Sequence, residues 1–135
     1  MSKKFPLQSK GFHPFGELIG LNFIKFEAGY SQCALEVNEK LLNPHHVAHG
    51  GVIYSMVDTG MGGALYQVLK KDELCTTIEI KIAYFASVAS GTLTCDTRIV
   101  HKGKRIATLE SEVKKGKTLV AKAMGTFLIY STKKS

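Results

Sequence analysis

The sequence predicts an α+β fold in which one long helix lies against a curved antiparallel sheet of about six strands. Three observations carry that prediction. Between residues 50 and 70, apolar side chains recur at helical intervals. After Asp72 the chain turns to four segments rich in Val, Ile, Thr and Tyr, the residues that favour strands. Short connections, most containing Gly, join those segments and imply antiparallel neighbours.

Taken in order, residues 1–20 carry Phe5, Phe12, Phe15, Leu18 and Ile19 and form either a short helix or an irregular cover. Residues 21–26 and 31–37 alternate apolar with polar side chains, and Glu27-Ala28-Gly29-Tyr30 supplies the turn of a hairpin. Residues 38–48 are a polar loop held open by Pro44. The helix follows, apolar at 52, 53, 56, 57, 61, 64, 65, 68 and 69, around most of its circumference. Such a helix belongs at the centre of a fold. Gly60, Gly62 and Gly63 each weaken it by roughly 1 kcal/mol, and the expected compensation is close backbone approach to a sheet or a neighbouring subunit. Strands are then expected over 76–85, 91–101, 105–114 and 118–130.

A chain of 135 residues predicts one domain, 1–135, with 1–14 irregular and 131–135 a tail. No apolar run approaches the roughly 18 residues of a membrane span, and the first residues lack the apolar block of a secretory signal. Cys33, Cys75 and Cys95 are widely spaced among apolar neighbours, which suits reduced core thiols in the cytoplasm better than a disulfide framework. The net charge of +7 points to anionic partners. Its clusters at Lys102-Gly103-Lys104-Arg105 and Lys114-Lys115-Gly116-Lys117 read either as solvated turns or as a grip on ligand phosphates such as those of coenzyme A. Nucleic acid is not expected, because no aromatic residues interleave with the lysines.

The chemistry concentrates in Asn43-Pro44-His45-His46-Val47-Ala48-His49-Gly50-Gly51, which runs into the helix, and in Asp58, two turns in. Helix starts expose unpaired N–H groups and partial positive charge, and so hold oxyanions and polarised carbonyls. A carboxylate nearby supplies the base or nucleophile of acyl transfer. Asp58 inside an apolar helix is a poor structural choice, since an unpaired buried charge is costly. Gly50 and Gly51 cap the helix or hold an oxyanion with the same N–H groups. His49 reads as a brace for the loop more readily than as an acid–base group, and Asn43 before Pro44 also shapes a turn. His45, His46 and His49 lie in a loop, where adjacent side chains point in different directions, so no metal site is expected. No Gly-x-Ser-x-Gly elbow is present. Tyr54, Met56, Met61, Leu65 and Tyr84 are candidate pocket walls, suited equally to aryl and medium-chain groups.

This order of elements, with His-Gly-Gly opening the helix, resembles the hotdog fold. More narrowly it resembles acyl-CoA thioesterases of the PaaI-like group, within the 4-hydroxybenzoyl-CoA thioesterase superfamily. The likeness covers nearly all of residues 15–130. It is sharpest from Asn43 to Asp58, with support from Thr77-Ile78-Glu79-Ile80-Lys81-Ile82-Ala83-Tyr84-Phe85 and Val100-His101-Lys102-Gly103-Lys104-Arg105-Ile106-Ala107. The resemblance implies a homodimer or homotetramer with its active site between subunits. One subunit would give Asn43, orienting carbonyl or water, and the Gly50 N–H, holding the thioester oxygen. The other would give Asp58 as base or nucleophile, with Thr77 (or Thr76) positioning the water. The substrate would be an acyl-CoA, hydrolysed to carboxylate and free coenzyme A with no further cofactor. Lys102, Lys104 and Arg105 match a basic turn that would meet the phosphates. A hotdog hydratase/dehydratase using His49 and Asp58, and a non-catalytic acyl-CoA-binding protein, are the alternatives.

Overall fold

The computed structural model describes residues 11–133. The chain runs α1 (Pro14–Ile19), β1 (Leu21–Glu27), β2 (Tyr30–Val37), a 3-10 turn (Glu39–Leu41), α2 (Gly50–Tyr66), β3 (Glu73–Tyr84), β4 (Gly91–Lys102), β5 (Ile106–Lys115) and β6 (Thr118–Ser131). The strands form one antiparallel sheet in the order β1-β2-β4-β5-β6-β3, curled around α2 in a hotdog fold. Phe5 and the rest of 1–10 lie outside the described residues, as do 134 and 135. The expected irregular start ends at Pro14, whose fixed φ suits the first position of α1.

The β1–β2 hairpin turns where the sequence placed it, with Gly29 at φ 75°, a left-handed value that costs Gly nothing. One expectation needs correcting. β3 does not pair with β4; it sits at the sheet edge against β6, and β4 pairs with β2 and β5. Three strand spacings, about 14 Å, separate β3 from β4. The connection over residues 85–90 can span about 20 Å when extended. It crosses the open end of the curl, burying Val88, whose carbonyl accepts from the Ala48 N–H at 2.7 Å. A short link therefore did not mean a hairpin.

β3 also starts earlier than expected, at Glu73, and α2 ends earlier, at Tyr66. Past Gln67 the chain tightens: the Val68 N–H reaches back three residues to Leu65 and the Leu69 N–H to Tyr66. Leu69 still packs into the core, which is why the apolar periodicity outruns the helix.

α2 is not covered all round. Ile53, Met56, Val57, Met61, Ala64 and Leu65 are buried toward the sheet, while Gly51, Ser55, Asp58, Gly62 and Tyr66, at helical spacing, form a stripe of partial or full exposure. Two glycines let the helix sit this close. A Cβ on Gly60 would stand 2.9 Å from Thr97 Oγ1, and one on Gly63 would stand 2.8 Å from the Phe23 ring. Beneath Gly60 lies a small polar seat. Ser31 Oγ donates to the Gly60 carbonyl at 2.6 Å, and the Thr97 and Ser111 hydroxyls bond each other at 2.6 Å. All three are buried, and each has a partner, as buried hydroxyls require.

Candidate active site

α2 begins where His49 caps it. The His49 Nδ1 accepts from the Gly51 N–H at 2.8 Å, and the Val52 N–H donates to the His49 carbonyl at 2.9 Å. Of the first three N–H groups of the helix, only that of Gly50 has no partner among the described residues. It combines a free donor with the positive end of the helix dipole. The sequence offered Gly50 and Gly51 together as donors; the cap uses Gly51.

Tyr84, at the far end of β3, fixes the Gly50 corner. Its hydroxyl donates to the Gly50 carbonyl at 2.8 Å, and its ring lies 3.3 Å from where a Cβ at Gly50 would stand. Burial, and secondarily the nearby Tyr54 phenol, pushes the Tyr84 pKa above the usual tyrosine value, so the donating proton stays in place. The loop before the helix is braced by Asn43. Its Oδ1 accepts from the N–H groups of His45 at 2.8 Å and Val47 at 3.4 Å, and its own N–H donates to Val47 at 2.8 Å. This turn carries His46 at φ 64°. The Asn43 Nδ2 has no hydrogen bond among the described residues and can donate outward.

Two turns further, Asp58 is half-buried on the open stripe of α2 rather than sealed in an apolar core. Thr77 Oγ1 donates to its Oδ1 at 2.6 Å, leaving Oδ2 without a partner among the described residues. The sequence left open whether Thr76 or Thr77 takes this place, and the contact belongs to Thr77. A bulge in β3 between Thr77 and Glu79 gives Thr77 its direction. Ile80 approaches Gly125 and the core, so an unbroken alternation would have turned Thr77 away from α2.

Asp58 and Thr77 open into a cavity of about 390 Å³, a volume ordinary for a small-molecule site. Thr59, Gly62, Gly63 and Tyr66 of α2 line it, together with Phe12 and His13 before α1, Cys75 and Thr76 of β3, and Phe127 of β6. Met61, expected as a wall, is fully buried against Gly125 and lines none of it; Met56 and Leu65 are likewise buried in the core. Tyr54 and Tyr84 belong to the Gly50 end instead. The positions that were missed lie four and eight residues after Asp58, a spacing that stepping along one helix face would have found.

A second cleft, about 370 Å³, lies at the β5–β6–β3 end and is lined by Lys104, Arg105, Glu73, Leu128 and Tyr130 among others. Lys102 ends β4 and is not among its lining residues.

Residues 45–122 match the thioesterase superfamily, more than half of the chain. A protein of Saccharolobus solfataricus, SSO1253, named as a candidate esterase, is 35% identical over 113 residues, covering 83% of this chain and 75% of that one. The acyl-coenzyme A thioesterase PaaI of Escherichia coli is 28% identical over 96 residues, covering 70% of this chain and 66% of its own. Among solved structures, the conserved protein PA5202 of Pseudomonas aeruginosa superposes with a TM-score of 0.84 at 35% identity, covering 92% of this chain and 96% of that one.

Proposed function

This chain belongs to the thioesterase superfamily, and from that premise we propose that it hydrolyses acyl-CoA thioesters at a site completed by two copies of itself. One observation carries the second half. Gly50, with its free N–H, and Asp58, with its free Oδ2, are eight residues apart on one helix, about 12 Å along its axis. They cannot serve the same carbonyl within one chain. Each is instead fixed by its own end of β3, Gly50 by Tyr84 and Asp58 by Thr77. β3 is a sheet edge of twelve residues with Ile78 and Tyr84 exposed, a template for another strand. Antiparallel pairing of β3 with its copy about the midpoint between Ile80 and Lys81 sets Thr77 opposite the partner's Tyr84. The partner's Gly50 then faces this chain's Asp58.

In the proposed reaction, Asp58 Oδ2 takes a proton from water as the water oxygen attacks the thioester carbon. The partner's Gly50 N–H holds the developing oxyanion, a contact of the kind worth a few kcal/mol, and the partner's Asn43 amide orients the carbonyl or the water. The tetrahedral intermediate collapses, the sulfur leaves as coenzyme A, and the proton returns to it. Water, a carboxylate and backbone donors suffice, so no metal or redox cofactor enters the proposal. Lys104 and Arg105 would meet the phosphates at the rim. None of Cys33, Cys75 and Cys95 forms a disulfide, which suits a reducing cytoplasm.

The test is release of free thiol from a panel of acyl-CoAs, which a hydratase or a binding protein would not produce. Assembly is tested by mixing variants. Gly50→Pro deletes the N–H at a helix position where Pro is tolerated, and His49, at φ −61° and ψ 135°, accepts a following Pro. The added Cβ also meets the Tyr84 ring at 3.3 Å, so the fold of the variant is checked first by circular dichroism. Mixed with an inactive Asp58→Asn variant and allowed to exchange subunits, it should regain activity at about a quarter of the sites, as two-fold symmetry dictates. No recovery between two folded, exchanging variants would remove the shared site.

A further inference from the structure

Gly60, Gly62 and Gly63 weaken the same helix, and the structure accounts for two of them. Gly60 and Gly63 touch the sheet so closely that a Cβ would collide. Gly62 has no such reason: a Cβ there would meet nothing within 4 Å, and its backbone is ordinary helix without positive φ. Ala at that position would make the better helix. What lies around Gly62 is the cavity that Asp58 and Thr77 open into.

We propose that Gly62 sets how deeply an acyl group enters this cavity and is a specificity-determining residue of the enzyme. The inference rests on the hydrolase reading above. The thioester carbonyl must lie near the water held by Asp58, so the acyl tail has to extend away from it. Gly62 stands one helical turn beyond Asp58, about 6 Å, and Tyr66 a second turn beyond that. Any side chain at 62 would project into the space between them. With glycine there, the cavity runs on to Tyr66, Phe12 and His13 and accepts acyl groups longer than one helical turn. Short acyl groups never reach that depth. The predicted substrate class is therefore a medium-length or ring-bearing acyl thioester, and Gly62 is what admits it.

The experiment compares the whole protein with its Gly62→Ala and Gly62→Val variants on butanoyl-CoA and octanoyl-CoA. In Gly62→Val the octanoyl-to-butanoyl ratio of kcat/KM should fall at least tenfold, and in Gly62→Ala by less. The same ranking should appear, without turnover, in calorimetric binding of the S-butyl and S-octyl thioethers of coenzyme A. An unchanged ratio in both measurements would overturn the proposal. So would a Gly62→Val protein that sediments as a smaller assembly than the parent, because Gly62 would then be a contact between protomers. If the parent hydrolyses neither ester yet the thioether ranking holds, the hydrolase reading fails and the depth-setting role stands.

Discussion

The two faces of α2 are built from the same kinds of residue to opposite ends. On the sheet side, Met56, Val57, Met61, Ala64 and Leu65 are fully buried, and Gly60 gives its carbonyl to Ser31 over the Thr97–Ser111 pair. On the open side, Asp58 holds one hydrogen bond and one free oxygen, and Gly62 faces unfilled space. Glycine on the first face removes a side chain so that backbone and sheet can touch. On the second it removes a side chain so that nothing touches. A glycine in a helix therefore says only that something is being kept clear, and its surroundings say what.

That contrast can be broken most forcefully at Asp58. Asp58→Asn keeps the shape and removes the base, so kcat should fall by about 10²–10⁴ while circular dichroism stays unchanged. Turnover close to the parent's would mean that the open face is not the reactive one. The glycines sharpen the comparison next, because their stability effects should have opposite signs. Gly60→Val drives a branched side chain into Thr97 and should cost about 1–3 kcal/mol in urea unfolding. Gly62→Ala should instead gain up to about 1 kcal/mol from helix propensity and a stiffer unfolded chain. Equal signs would erase the distinction. A smaller effect is expected at Thr77, where Val deletes the donor to Asp58 with little change of volume. About a tenfold loss in kcat is expected, the scale of one hydrogen bond to a charged group; a loss of folded protein instead would make Thr77 a structural residue only. Smallest of all is the rim. Lys104 and Arg105 changed together to Ala should raise KM for an acyl-CoA several-fold, with kcat hardly altered and the effect shrinking as salt rises. The same rise for a truncated thioester lacking the nucleotide would show that these residues do not act through phosphate.

Much of this was legible in the residues themselves. The hairpin at Gly29, the helix start at Gly50 and all six strands follow from local chemistry, because turn residues, capping residues and strand formers act over a few positions. His49 as a brace was readable for the same reason. The direction in which α2 faces was not. Its apolar residues cover most of the circumference, so apolar periodicity alone cannot say that Met61 points to the sheet and Gly62 away from it; that takes either the contacts with Gly125 and Thr97 or helical steps counted from Asp58. The edge position of β3 was hidden as well. A link over residues 85–90 is as compatible with a crossing as with a turn, and the pairing of β3 with β6 depends on residues far along the chain. Thr77 stood out only through the family resemblance, since the bulge that aims it leaves no mark in composition.

The pairing of Glu73 with Ser131 and of Tyr84 with Ala121 also dictates a schedule. During synthesis β3 leaves the ribosome well before β6, the strand that completes its ladder. For that interval its backbone groups bond only to water on both sides, and Ile80 and Ile82, which pack against the core in the finished fold, stand uncovered. Pairings so distant in sequence are slow to close, and nascent chains are most prone to clump while an edge waits. The β3 edge therefore cannot be completed before the final strand is made, and removing even a few residues from the end of β6 should be felt first beside it, where β3 begins.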